Sequence, residues 1–219
     1  MTMTVENPRQ SLVTAALDAE AQRLNIGTTG NISARLNGGM LITPSGIPPK
    51  KLKPELIVAM DLDGAWSGDI KPSTEWALHA AIYKSRPEVS AVMHAHPDHC
   101  VALSCARENL PAFHYMVAGF GGDDVRCSKY ASFGSPELAK FAVEALENRT
   151  ACLLANHGMV AIGTSVAEAF NRTVKLETMV RQFLLCRSFS APVLLTVNEM
   201  TEVEQRYRAG YARQAAPVA

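Results

Sequence analysis

The chain has 219 residues, a length that suits one domain with a sizeable core, and no shift in composition suggests an internal boundary. Its 21 basic and 21 acidic residues cancel, and neither sign forms a run, which argues against a nucleic-acid or membrane surface and favours small-molecule chemistry. No apolar segment approaches the roughly 18 residues of a membrane span, and the N-terminus lacks signal-peptide features. We therefore expect one soluble, cytoplasmic domain over residues 1–219.

The first third of the chain predicts a helix followed by two hairpins. Apolar side chains recur at a helical spacing after Asn7, and short runs of strand alternation are then separated by glycine-containing turns. The predicted elements are a helix over residues 8–24 and strands over 32–36, 40–42 and 57–61, with a short return strand through Trp66.

Two segments of this third are rich in small hydroxyl residues. The loop at 27–31 lacks both the dinucleotide fingerprint and the P-loop motif, yet its backbone N–H groups and hydroxyls could hold an anion. An ordinary helix-to-strand turn is the alternative. Ser73 and Thr74 open the next helix, where they could either cap it or form a second anion contact, because a helix N-terminus attracts negative charge.

The strongest motif lies in the middle of the chain. The apolar run at 89–93 predicts a buried strand, and since strand side chains alternate between faces, His94 and His96 should point the same way. A second buried strand at 151–155 leads to His157, followed by a glycine that permits a sharp turn. Three neutral imidazoles leave a fourth position open on a zinc ion, which is the pattern of a catalytic site.

The alternative is that these histidines are hydrogen-bonded structural residues. We prefer that interpretation for the other three histidines of the middle region. His99 lies an odd number of residues from His94 and follows a proline, while His79 and His114 stand alone in other elements.

The remaining elements alternate helices with short strands. A helix opens at 72–75 and stops before Pro87, and the later predictions are helices over 98–105, 136–146, 166–187 and 198–214 with strands over 112–117 and 159–162. No regular βαβ repeat is present, so we predict an α/β fold with a mixed, mostly antiparallel sheet between helical layers.

The five cysteines form no C-x-x-C pair, and their number is odd. This pattern argues against a disulfide framework and predicts buried, reduced, structural thiols. A nucleophilic thiol is the functional alternative, but none lies beside a candidate base. The cysteines are Cys100, Cys105, Cys127, Cys152 and Cys186.

Six motifs follow one another over nearly the whole chain. They are GTTGNIS at 27–33, TPSG at 43–46, STEW at 73–76, HAH at 94–96, FHYM at 113–116 and NHG at 156–158. Each is weak alone, but in this order they resemble the class II aldolase/adducin family. The resemblance implies a three-layer α/β/α sandwich, assembled as a cyclic homotetramer with active sites between subunits.

The resemblance also implies roles for individual residues. His94, His96 and His157 match zinc ligands, and Glu75 matches an acidic residue that ligates the resting metal and then serves as base. Tyr115 matches a tyrosine that reaches across a subunit interface as proton donor. The residues that match substrate contacts are Thr28, Asn31, Ser45, Gly46, Ser73 and Thr74 in phosphate-binding motifs and Phe133 near the aldehyde.

The implied activity is zinc-dependent, reversible cleavage of a ketose 1-phosphate to dihydroxyacetone phosphate and a small aldehyde. Either L-fuculose 1-phosphate or a related deoxy-pentulose 1-phosphate would fit. The substrate at the aldehyde end stays open because Asn156 replaces a histidine, and Tyr207 and Tyr211 match the family's C-terminal aromatics only loosely. A Schiff-base route is disfavoured, since the lysines lie in polar or helix-surface contexts.

Three other functions remain as alternatives. A pentulose-phosphate 4-epimerase of the same family would carry aspartate where this chain has Glu75. A non-catalytic, adducin-like interaction domain would have no need of the three histidines. A zinc-hydroxide hydrolase would not account for the two hydroxyl-rich, phosphate-type loops.

Overall fold

The computed structural model describes residues 7–209, which fold around a six-stranded sheet. The strands are β1 (Asn31–Leu36), β2 (Gly39–Ile42), β3 (Val58–Asp61), β4 (Ala91–Ala95), β5 (Ala151–Leu154) and β6 (Gly158–Gly163). Their spatial order is β3-β2-β1-β4-β6-β5, and every pairing between these neighbours is antiparallel. Asn31 therefore stands opposite His94 in the centre of the sheet.

Helices cover both faces of this sheet. They are α1 (Pro8–Ala21), α2 (Trp76–Ser85), α3 (Asp98–Ala106), α4 (Pro136–Ala145), α5 (Val166–Arg187) and α6 (Val197–Arg208). One apolar cluster joins the sheet to α1, α3 and α5 through Leu12, Leu103 and Leu176. A second cluster joins the opposite face to α2 and α4 through Ile82 and Leu138. The predicted three-layer α/β/α sandwich is confirmed.

Local side chains explain where several helices begin. The Asn7 side chain accepts a hydrogen bond from the Arg9 backbone N–H, and Ser135 and Ser165 cap α4 and α5 in the same way. Thr196 forms a reciprocal capping box at the start of α6. Each such cap contributes about 1 kcal/mol, because it pairs a backbone donor that the helix leaves unsatisfied.

Two strand predictions are wrong. The segment at 112–117 instead leads into a short 3-10 helix, Tyr115–Phe120, because the His114 side chain accepts the Met116 backbone N–H and thereby caps a turn. The buried residues of that turn are Val117, Ala118 and Phe120. The return strand through Trp66 is reduced to a single bridge with Met60.

Three shorter findings complete the comparison with the predicted elements. The last helix reaches Arg208, and its predicted continuation to residue 214, with Tyr211, lies outside the described residues. The five cysteines are free, but only Cys100 and Cys152 are buried, and Cys105 is exposed. Among the described helices, none combines the length and apolarity needed to cross a bilayer.

Candidate active site

Three histidines converge where β4 meets the turn between β5 and β6. One side-chain nitrogen from each of His94, His96 and His157 lies within 4.8 Å of the other two. The Nε2 atoms of His94 and His96 are 2.8 Å apart, so the alternation of β4 does direct both rings to one side. The close approach depends on Gly158, since a Cβ there would lie 2.5 Å from both the Ala95 carbonyl oxygen and His96 Cδ2.

The orientation of the His94 ring follows from its backbone partner. His94 Nδ1 lies 2.9 Å from the Met159 carbonyl oxygen, which can only accept, so Nδ1 carries the proton. Nε2 is therefore the ring nitrogen that faces the other two histidines. A carbonyl that fixes the tautomer in this way is a common support for a metal-ligating histidine.

Glu75 completes the cluster from the N-cap position of α2. Its Oε2 is 3.1 Å from His94 Nε2 and accepts a 3.0 Å hydrogen bond from Asn31 Nδ2, while its Oε1 is 3.5 Å from His157 Nε2. Burial disfavours the charged form, but His94, His157 and the Asn31 hydrogen bond together outweigh it and hold the pKa of Glu75 below its usual range. The side chain is thus a buried carboxylate.

These residues fit a divalent metal ion. Burial, together with repulsion from His94, lowers the pKa of His96 to about 3 and that of His157 to about 4, so both rings are neutral at physiological pH. Glu75 Oε1 is buried and has no hydrogen-bond partner. Three imidazole nitrogens and an unpaired carboxylate oxygen converging in this way form a donor set that zinc and similar cations prefer.

A cavity of about 400 Å³ opens beside this cluster. Its wall includes Glu75, His96 and His157, whereas His94 is fully buried behind them. All the residues that matched substrate contacts line it: Thr28, Asn31, Ser45, Gly46, Ser73, Thr74 and Phe133. Sequence reasoning missed Tyr130, a half-exposed aromatic residue in the same loop as Phe133, although an exposed aromatic in a Ser/Gly-rich loop is a usable signal.

Comparison with known proteins agrees with this geometry. The family model described as the class II aldolase and adducin N-terminal domain matches residues 10–184. The chain belongs to the class II aldolase and adducin family.

Two curated relatives and one solved structure refine this result. Over 200 residues, the chain is 42% identical to the 5-methylthioribulose-1-phosphate/5-deoxyribulose-1-phosphate aldolase of Rhodospirillum rubrum, covering 91% of this chain and 90% of that one. It is 38% identical to the L-fuculose phosphate aldolase of Escherichia coli K12, again over 200 residues, with 91% and 93% covered. A solved structure of L-fuculose 1-phosphate aldolase matches with a TM-score of 0.89 and 37% identity, covering 94% of this chain and 98% of the other.

These relatives confirm the predicted family and fold. They also confirm the prediction of an enzyme of the class II aldolase type, since the relatives are named as aldolases. The metal that this class requires has a matching group of ligands in His94, His96 and His157.

In this class II aldolase, two hydroxyl-bearing segments of the cavity lining are hydrogen-bonded to each other. The Ser45 backbone N–H donates to the Lys71 carbonyl at 3.0 Å, and the Ser73 N–H donates to the Thr43 carbonyl at 3.1 Å. The Ser73 hydroxyl also accepts the Glu75 backbone N–H at 3.3 Å, so it stabilises the start of α2 and can still donate to a ligand. Ser73 can therefore both stabilise the start of α2 and contact a bound anion.

The side chain of Asn31 is used differently from the phosphate contact that the resemblance implied. It borders the cavity, but its Nδ2 donates to Glu75 and its Oδ1 faces His79 Nε2 at 2.5 Å. Both ends of the amide are therefore occupied by protein groups. In this structure the amide links the candidate base to the core.

Tyr115 does not line the cavity. It is half-exposed at the start of the 3-10 helix and borders a separate surface depression with Leu195, Val203 and Tyr207 of the C-terminal region. Burial, with a further contribution from Tyr115, raises the pKa of Tyr207. Within one chain, the structure therefore leaves the proposed proton donor apart from the histidines.

The other histidines lie outside the triad, as expected. His99 Nδ1 pairs with Glu177 Oε1 at 2.6 Å near the start of α3, and His114 caps the 3-10 helix. His79 is fully buried between Ser33 and Asn31.

Proposed function

We propose that the protein is a zinc-dependent aldolase that reversibly cleaves a ketose 1-phosphate to dihydroxyacetone phosphate and a small aldehyde. The observation that carries the proposal is the convergence of the histidine triad and Glu75 beside a cavity that is also lined by two hydroxyl-rich loops. A ketose 1-phosphate needs both a site for its phosphate and a site for its reacting carbonyl. The names of the relatives, all sugar-phosphate aldolases, support the same assignment.

The ends of the substrate are assigned from the cavity lining. The hydroxyls of Thr28, Ser45 and Ser73 would hold the phosphate, because they line the cavity and can donate hydrogen bonds to an anion. This anchoring orients a small reacting centre that offers few contacts of its own. When bound by the three imidazoles, a divalent cation would act as a Lewis acid on the carbonyl and hydroxyl oxygens of the ketose.

Glu75 is the proposed general base. Its carboxylate is ionised and buried, and Oε1 has no hydrogen-bond partner, so this oxygen can accept a proton. In the condensation direction it would take the proton from the hydroxyl-bearing carbon of dihydroxyacetone phosphate. In cleavage it would return that proton to the same carbon.

Tyr115 is the proposed proton-transfer group at the C4 oxygen of the ketose. It would accept the hydroxyl proton during cleavage and donate it during condensation. Because Tyr115 lies outside the cavity of its own chain, this role requires a neighbouring subunit. We therefore also propose a homotetramer with active sites between subunits.

For the aldehyde half of the substrate we propose a chemical class and not a single compound. Phe133 and Tyr130 present aromatic surface at the cavity mouth, which suits the methyl or methylthio end of a deoxy-sugar better than a charged group. L-fuculose 1-phosphate, 5-deoxyribulose 1-phosphate and 5-methylthioribulose 1-phosphate all satisfy this requirement.

A substrate panel tests the proposal. The zinc-loaded protein is incubated with the three ketose 1-phosphates and with ribulose 5-phosphate, and dihydroxyacetone phosphate is measured with a coupled dehydrogenase. We expect release from at least one ketose 1-phosphate, loss of release after chelation, and recovery when zinc is returned. Conversion of ribulose 5-phosphate to its 4-epimer without release of dihydroxyacetone phosphate would instead identify the epimerase, and inertness toward all four would overturn the proposal.

A further inference from the structure

A buried chain of hydrogen bonds connects the core of the protein to Glu75. The Tyr83 hydroxyl lies 2.8 Å from Ser33 Oγ, which lies 2.7 Å from His79 Nδ1. His79 Nε2 lies 2.5 Å from Asn31 Oδ1, and Asn31 Nδ2 donates to Glu75 Oε2 at 3.0 Å. All five residues are buried.

Two regular spacings produce this chain. Glu75 at the N-cap of α2 is followed at intervals of four residues by His79 and Tyr83 within the helix, while Asn31 and Ser33 are two residues apart on β1. Four helical residues rise about 6 Å and two strand residues about 6.6 Å, so the two rows stay in register where the helix lies on the sheet. Polar side chains can therefore alternate between helix and strand along the whole interface.

The position of each proton follows from the two ends. A carboxylate only accepts, so Asn31 must turn its Nδ2 toward Glu75 and its Oδ1 toward His79. His79 must then carry its proton on Nε2, which leaves Nδ1 to accept from the Ser33 hydroxyl. Ser33 in turn accepts from the Tyr83 hydroxyl. Every donor in this series of hydrogen bonds thus points toward Glu75.

We propose that His79 is a positioning residue for Glu75. In its Nε2–H tautomer it fixes the Asn31 amide so that Nδ2 faces Glu75 Oε2, which keeps the carboxylate turned toward the histidine triad and leaves Oε1 for the reaction. His79 is fully buried and does not line the cavity, so it acts without touching substrate. Its catalytic consequence rests on the proposed function, whereas the tautomer does not.

Two substitutions at this position separate positioning from packing. His79→Gln keeps an N–H near the place of Nε2, whereas His79→Leu fills similar space without a donor. We expect His79→Leu to lower kcat about 10- to 100-fold, as loss of an outer support for a metal-site residue does, and His79→Gln to retain kcat within about fivefold. KM for the ketose 1-phosphate should change less than about threefold in both variants, because His79 touches no substrate.

A matched control variant removes apolar packing from the same helix and leaves the hydrogen-bonded side chains unchanged. Ile82→Val lies on the same helix, at a fully buried position, and costs about 1 kcal/mol of stability. It should leave kcat unchanged at a melting temperature comparable with that of His79→Leu. Equal kcat losses in Ile82→Val and His79→Leu, or wild-type kcat in His79→Leu, would overturn the proposal.

A second measurement needs no activity. Long-range ¹H–¹⁵N correlation spectra of ¹⁵N-histidine-labelled, metal-free wild-type protein report which ring nitrogen is protonated. We expect His79 to be neutral with its proton on Nε2 from about pH 5 to pH 8. A proton on Nδ1 would contradict the proposal even if His79→Leu failed to fold. If the wild type cleaved no ketose phosphate, the proposed function would fail, while this spectrum would still decide the state of His79.

Discussion

The two regions with proposed catalytic roles are built in different ways. His94 lies on β4, His96 and His157 lie directly beside strand ends, and Glu75 is the N-cap residue of α2. Every member of this group is buried or half-buried with a defined partner. Tyr115 is half-exposed on a short 3-10 helix packed near α6. Groups that would share one metal ion need a fixed spacing, which the sheet and the start of α2 supply, whereas a group that serves a neighbouring subunit has to lie at the surface.

The largest expected effect lies at the buried region. Glu75→Gln keeps the shape of the side chain but removes its charge and basicity, so kcat should fall about 10³-fold or more. Zinc should stay near one equivalent per chain by metal analysis, since the three imidazoles remain. Full activity in this variant would remove Glu75 from the mechanism, and loss of zinc would show that Glu75 is needed as a ligand.

The surface region should give a smaller loss. Tyr115→Phe removes one proton-transfer group and should lower kcat about 10²-fold with zinc retained.

Complementation between variants of the two regions tests whether one active site takes residues from two subunits. Mixed oligomers of Tyr115→Phe and Glu75→Gln should recover part of the wild-type rate, because some sites would combine an intact Glu75 with the neighbour's intact Tyr115. No recovery in mixed oligomers confirmed by mass spectrometry would count against an intersubunit site.

The buried region should also make stability depend on pH. Burial, with repulsion from His94, lowers the pKa of His79 to about 3, whereas its ordinary value is 6.5. Below pH 6.5 the unfolded chain binds a proton at His79, whereas the folded chain does not bind one until the pH nears 3. The contribution of His79 to stability is therefore present above pH 6.5 and is lost as the pH falls toward 3. Between pH 7 and pH 5 the free energy of unfolding should fall by about 2 kcal/mol from this residue.

Urea unfolding in chelator, at one protein concentration, measures this loss. His79→Gln cannot titrate, so its free energy of unfolding should fall less than that of the wild type between the two pH values. Equal losses in both proteins would show that His79 does not stay neutral in the folded state.

The smallest effect is expected far from both regions. Cys105 is exposed, whereas burial raises the pKa of the Cys127 thiol to about 11 and that of Cys152 further still. Mild alkylation of the native protein at pH 8 should therefore modify Cys105 first. Activity should be unchanged, because Cys105 does not line the cavity. Peptide mass mapping beside the rate assay checks both statements.

Sequence patterns predicted the buried region better than the surface region. Strand alternation correctly predicts that His94 and His96 point to one side, and the pairing of β4 with β6 then brings His157 to them. The pattern around Tyr115 predicts a strand, although six apolar and aromatic residues match a turn of helix equally well. The hydrogen bond from the Met116 backbone to His114 decides between them, and periodicity does not reveal it.

What the sequence alone determined is the set of local features: which segments are helices or strands, which faces are apolar, and which residues could hold a metal and an anion. Only the tertiary structure shows that the Asn31 amide donates a hydrogen bond to Glu75. It also shows that His79, predicted as an isolated structural residue, is hydrogen-bonded to the other end of that amide. The reason is physical. Periodicity reports which side of an element a residue occupies, but a hydrogen bond between α2 and β1 depends on how residues 44 or more positions apart are packed together.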